Sequence, residues 1–204
     1  MTRHQRGHVH ETLRRTTAAA HHALDHHRLL QRLTSLELTR EQYAESLAAM
    51  YRSHGQLERL VHESRHHVES GLELSPRLAL LAADLVELGW PVSPVLQTRP
   101  APSDGRAAWW GRVYVLEGSR QGSAFIARCI QSSLCDTVPC RFFGEARILD
   151  NFSALLLALA RELDDPEALK QAVASARAGF AAYKSELDAF DGRKRDTEIP
   201  AAVF

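Results

Sequence analysis

AAWWGRVYVLEGSRQGSAFIARCI, Ala107 to Ile130, reads as one helix that carries Gly111, Gly118 and Gly122 in its interior. Each interior glycine costs a helix roughly 1 kcal/mol relative to alanine, so three of them ask for a reason. Gly118 and Gly122 stand four residues apart, one turn from each other on one face. Bare main chain there admits either a tightly packed neighbouring helix or a flat ligand lying against the backbone, and it makes a kink cheap.

Outward from this stretch, helix signals dominate and strand signals are almost absent. Residues 1–10 are polar and read as a flexible terminus; from Glu11, Leu13, Thr17, Ala20 and Leu24 recur at spacings of three and four. Thr39 and Gln42 form a capping box opening a helix that ends before Gly71. Ser75-Pro76 reads as a cap and first helical position for a helix reaching Leu88. GWPVSPVLQTRPAPSDG, Gly89 to Gly105, holds four prolines and reads as a loop. Beyond an irregular stretch at Pro139, helical segments run from Glu145 to Leu163. Asp165-Pro166-Glu167 starts a last helix to about Phe190, which leaves 191–204 as a tail. The expectation is an all-α, single-domain multi-helix bundle over 11–190, with a ligand site in its interior or between two helices.

Composition narrows the function. The 204 residues hold 25 Lys+Arg against 25 Asp+Glu, which leaves no electrostatic footprint for nucleic acid or an anionic membrane. No apolar run reaches the roughly 18 residues of a membrane span, and MTRHQRGHVHE lacks the apolar core of a signal peptide. Cys129, Cys135 and Cys140 have no CxxC spacing, so a disulfide framework is not expected and a cytoplasmic location is.

The first helix carries the other chemical signal. His21 lies seven residues after Arg14 and four before Asp25, so all three project to nearly the same face. A neutral imidazole can bind iron through one nitrogen while a carboxylate one turn on fixes the other. Arg14 can meet an anionic ligand edge. A solvated His–Asp pair has the same spacing.

Together these stretches carry a resemblance. LRRTTAAAHHALD, Leu13 to Asp25, resembles the first-helix signature of bacterial heme oxygenases, and YVLEGSRQGSAF, Tyr114 to Phe125, is similar to their distal-helix signature. The two lie some ninety residues apart, as in that family. The resemblance implies heme b between the first and the distal helix, as cofactor and as substrate. It makes His21 the proximal iron ligand, Asp25 its hydrogen-bonding acid, and Arg14 a propionate partner. It places the main chain of Gly118 and Gly122 over the heme, with Ser119 at the distal polar position. His22 faces about 100° away from His21 and is not the expected ligand. Arg177 and Lys184, seven apart on the last helix, are further propionate candidates, although a solvated face explains them too. Tyr114 reads as pocket rim or core aromatic.

Two departures stand out: Gln121 replaces the family's leucine and Ser123 its second distal glycine. The Ser123 hydroxymethyl either crowds the distal wall or donates to bound oxygen. The implied reaction opens heme to biliverdin with O2 and electrons, releasing CO and iron. No flavin- or nicotinamide-binding glycine fingerprint is present, so the implied electron donor is an external reductase or ferredoxin. Kinship with the small members paired with bacteriophytochromes would make such a photoreceptor the biliverdin acceptor.

Three rivals remain at this level. Ser123 keeps open a non-catalytic heme-binding or heme-sensing protein on the same fold. Glu63-x-x-His66 and the i, i+4 pairs His22–His26 and His62–His66 keep open a non-heme iron oxidase. A purely structural helical partner would leave the paired motifs unexplained.

Overall fold

A computed structural model describes residues 3–92, 105–135, 138–144 and 149–198. Within them the chain forms α1 (Arg3–Asp25), α2 (Arg28–Gln31), a 3-10 turn (Arg32–Thr34), α3 (Arg40–His62), α4 (Arg65–Ser70) and α5 (Leu78–Glu87). Then follow α6 (Arg106–Gly118), α7 (Ser123–Leu134), α8 (Arg141–Gly144), α9 (Leu149–Glu162) and α10 (Pro166–Glu198). Among these residues no helix is long and apolar enough to cross a membrane.

α10 is the axis of the bundle: α6, α1 and α3 all pack along it, and α9 closes the angle between α1 and α6. The α6–α10 crossing is close because both helices are small there. A Cβ on Gly111 would lie 2.2 Å from the Ala172 carbonyl oxygen, whereas one on Gly179 would meet Val115 Cγ2 at an ordinary 3.6 Å. Trp109 and Trp110 flank this crossing, both buried, and the Trp109 indole N–H donates to the Val61 carbonyl at 2.9 Å, tying α6 to α3.

Local signals explain several helix ends. Thr39 and Gln42 form the capping box as read, and Asp165 accepts the Ala168 N–H at 2.9 Å, capping the start of α10. Four boundaries differ from the sequence reading. α1 begins at Arg3 rather than Glu11 because Val9 is buried and the His10 ring packs edge-on against Phe152 at 6.1 Å and Tyr114 at 6.5 Å. α3 stops at His62, and the separate α4 ends at Gly71, whose φ of 63° makes it a left-handed cap. Ser75-Pro76 does not start α5. Helix α5 begins at Leu78, where the Glu58 carboxylate of α3 accepts the N–H groups of Arg77 at 2.6 Å and Leu78 at 3.1 Å. Finally, α10 continues past Phe190 to Glu198, while Arg28 of α2 pairs with Asp191 on it. The readings at residues 1–2, 93–104, 145–148 and 199–204 lie outside the described residues.

The crossing yields a test. Gly111→Ala is expected to lower the unfolding free energy of the protein by about 2–3 kcal/mol through backbone overlap. Gly118→Ala, which meets nothing within 4 Å, should stay within about 1 kcal/mol of the parent. Urea unfolding of the two variants separates them.

Candidate heme site

The 107–130 segment is not one helix. α6 ends at Gly118, and residues 119–122 form tight turns before α7 begins at Ser123. Successive three-residue bonds carry the chain through this break: Arg120 N–H to Glu117 O at 3.1 Å, Gln121 to Gly118 at 3.0 Å, and Ser123 to Arg120 at 3.0 Å. Gly118 and Gly122 therefore flank a bend instead of sharing a straight helix face. An added Cβ at either would meet open space. Helix packing accounts for Gly111 and not for these two.

α1 and α6 converge on one level of α10. Tyr114 shares a side-chain hydrogen bond with Thr17, and burial, the dominant effect, pushes the Tyr114 phenol up. One turn further along α1, the His21 ring stands edge-on to Phe180 at 5.8 Å. The neighbouring Gly179 packs on Val115, three residues before Gly118. The two motifs thus meet adjacent residues of the same α10 turn.

His21 Nδ1 lies 2.8 Å from Asp25 Oδ2, both side chains being more than half exposed. A proton held on Nδ1 by that carboxylate leaves the Nε2 lone pair available to a metal ion. Arg14 is exposed and forks onto Glu11 at 3.0 and 3.1 Å. Lys184 pairs with Asp188 at 2.7 Å, and Arg177 is exposed on α10. None of the three is locked into the core. The residues present therefore fit a flat anionic porphyrin: an oriented imidazole, two bare main-chain positions facing open space, and exposed cations near α1 and α10.

Beneath the break lies a polar network whose partners are far apart in the chain. Arg77 is buried and donates from Nη2 to Ser119 Oγ at 2.9 Å and from Nη1 to Ser123 Oγ at 3.3 Å, with its guanidinium 4.7 Å above the Phe142 ring. Desolvation, then the Arg120 charge, brings the Arg77 pKa down to about 10. Ser119 donates its own proton to Leu116 O at 2.6 Å. Ser123 is buried, and its hydroxyl oxygen accepts from Arg77. Arg120 is buried as well, 2.9 Å from Glu117 and donating to the Ser75 carbonyl. Desolvation raises the Glu117 pKa against the pull of Arg120 and Arg77.

One layer deeper, the His54 and Glu58 side chains of α3 stand 3.1 Å apart in the core. Burial holds the His54 imidazole below its ordinary value. Burial also opposes the Glu58 charge, but the hydrogen bonds from His54, Arg77 and Leu78 outweigh it and lower the Glu58 pKa. The i, i+4 spacing of His54 and Glu58 was the available sequence signal for this pair; nothing local pointed to Arg77.

Among the described residues, the remaining histidines do not assemble a rival site. His22 and His26 stack in near-parallel with centroids 3.9 Å apart, Glu63 pairs with Arg59 and His66 with Glu69. Among the described residues no group of three or more His, Cys, Asp or Glu is placed to hold a metal ion. An apolar groove of about 500 Å³ lined by Ser70, Gly71, Leu72, Ala154, Leu157, Ala158 and Arg161 adjoins the opposite end of α6. There Arg106 pairs with Glu162 and Glu69, roughly 18 Å along the helix from Gly118.

No protein-family model matches the chain. A curated heme oxygenase from Xanthomonas campestris pv. campestris (strain 8004) is 32% identical over 124 residues, 60% of this chain and 73% of that relative. The chain belongs to the heme oxygenase family. Its fold is shared by the NO- and CO-bound heme oxygenase from Neisseria meningitidis, with TM-score 0.71 and 24% identity over 96% of this chain and 98% of that one. Heme oxygenase from Leptospira interrogans gives TM-score 0.69 and 14% identity over 89% and 98%. The all-α single-domain heme oxygenase architecture is as the sequence reading expected, and by homology the chain is a heme oxygenase enzyme.

The buried His54–Glu58 pair is expected to make this fold acid-sensitive. The unfolded chain protonates this imidazole near 6.5 and the folded one only at lower pH, so its stabilising effect is full above 6.5 and lost as pH falls toward the folded value. The Glu58 contribution is present above 4.5 and fades below it, as pH falls through its depressed folded pKa. Unfolding free energy is expected to decline on acidification from pH 6.5, and less steeply between 6.5 and 4.5 in His54→Gln. Denaturant titrations across that range measure both slopes.

Proposed function

We propose that the chain opens heme to biliverdin, consuming O2 and electrons and releasing CO and iron, with His21 as the proximal iron ligand. The observation that carries this reading is an Asp25-oriented His21 packed on Phe180 of α10, next to Gly179 where α6 seats Val115, one turn before the open, Cβ-free positions Gly118 and Gly122. Bound heme supplies the iron at which O2 is held and reduced, together with the ring that is oxidised.

The residues divide the remaining work. Asp25 keeps the His21 tautomer and ring orientation. Gly118 and Gly122 let main chain approach the ring plane where any side chain would hold it off. Ser119, whose proton goes to Leu116 O, adds no strong acid to the distal wall, so ordered water there would deliver protons. Arg14, Arg177 and Lys184 serve the propionates, Arg14 and Lys184 by exchanging the carboxylates of Glu11 and Asp188 for those of the ligand. Tyr114, fixed by Thr17, forms the rim.

Because the chain has no flavin or nicotinamide fingerprint, the donor is an external reductase or ferredoxin. The three free cysteines suit a reducing, cytoplasmic setting. A bacteriophytochrome is our choice of biliverdin acceptor.

Hemin titration followed by reduction tests this. The parent should give a stoichiometric Soret band that bleaches to biliverdin, identified by chromatography, once a reductant is added. His21→Ala should lose the axial-ligand spectrum, and Asp25→Ala should weaken hemin binding by about tenfold. A His21→Ala spectrum identical to the parent would remove the assignment. Stable hemin binding without bleaching would make the chain a carrier.

A further inference from the structure

We propose that Ser123, where the family signature carries glycine, is a positioning residue. Its hydroxyl and that of Ser119, one turn apart, are bridged by Arg77 into a clamp that fixes the bend between α6 and α7. The inference rests on the heme-site reading for its functional consequence, but the clamp itself is a property of the heme-free protein.

The bend needs such a device. Two glycines flank it, and a Cβ added at either would meet nothing within 4 Å, so no side-chain packing at these positions fixes the main chain of 118–122. No side chain caps the start of α7 at the break. Besides the main-chain bonds of the turn and the Arg120 contacts to Glu117 and Ser75, it is tied to the core by the Arg77 guanidinium, reaching 42 and 46 residues along the chain to Ser119 and Ser123.

The hydrogen-bond roles are consistent around the clamp. Arg77 can only donate, so both hydroxyl oxygens accept from it. Each serine then directs its proton to main chain, Ser119 to Leu116 O at 2.6 Å and Ser123 to Ser119 O at 3.4 Å. The guanidinium is itself anchored. Phe142 lies under it, and the Arg77 backbone N–H is held by Glu58 at 2.6 Å. A rigid core position on α3 is thereby linked to the distal main chain, with Ser123 as the link that a glycine would remove. Ser119, left with Arg77 alone, would be held by one contact in place of two on the same bend.

Hydrogen exchange of the heme-free protein tests the clamp directly. Ser123→Ala removes the hydroxyl without adding glycine flexibility. Loss of a charge-assisted hydrogen bond should speed exchange of the 119–126 amides roughly tenfold, with the α3 and α10 amides unchanged. Arg77→Lys, which keeps the charge but cannot span two hydroxyls, should produce the same local pattern. Combined with Ser123→Ala it should add little.

Unchanged exchange at 119–126 in Ser123→Ala, or acceleration spread equally over the whole chain, would overturn the clamp whether or not hemin binds. With hemin, Ser123→Ala should raise the dissociation rate several-fold while the His21-dependent Soret position stays in place. An unaltered rate alongside locally faster exchange would refute the functional half of the proposal. Absence of hemin binding by the parent protein would count against the heme reading and leave the exchange result standing.

Discussion

The closeness of α6 to α10 governs everything else in this bundle. Gly111 lets the Ala172 carbonyl occupy the space of a side chain, and Val115 on Gly179 extends that contact toward the end of α6. With α6 seated so deeply, Tyr114 reaches Thr17 on α1, and the His21 ring meets Phe180 beside the Gly179 that seats Val115. A wider crossing would move the distal main chain away from the imidazole. The proposed site depends on two helices meeting there without bulky side chains.

A second constraint acts at right angles to the first. Glu58 is a buried carboxylate that caps α5 from another helix and pairs with His54. Removing one partner of such a group strands the others without bonds, which costs more than the pair contributes in isolation. The polar layer runs from this carboxylate through Arg77 to the serines of the bend. It gives the distal segment a defined shape where its own glycines supply none.

The sequence was informative where the determinants are local. Helical periodicity from Leu13 to Leu24, the Thr39/Gln42 capping box and Asp165 before Pro166 all act within a few residues, and each is found in the structure. The first-helix and distal motifs were readable for the same reason. Boundaries set from a distance were not. Ser75-Pro76 looks like a helix start, but Glu58 moves it to Leu78. Ala107 to Ile130 looks like a single helix, but Arg77 and two unpacked glycines bend it. Glycine spacing alone does not distinguish Gly111, which packs on backbone, from Gly118, which faces open space. That distinction appears only when the neighbours are in place.

The account depends on a porphyrin lying between the Asp25-oriented imidazole and the bare main chain of the bend. A crystal structure of the hemin complex tests this most directly. The account predicts iron bonded to Nε2 of His21, with backbone atoms of Gly118 and Gly122 in van der Waals contact with the opposite ring face. Iron held by another histidine such as His22, or a porphyrin seated in the groove between Gly71 and α9, would contradict it.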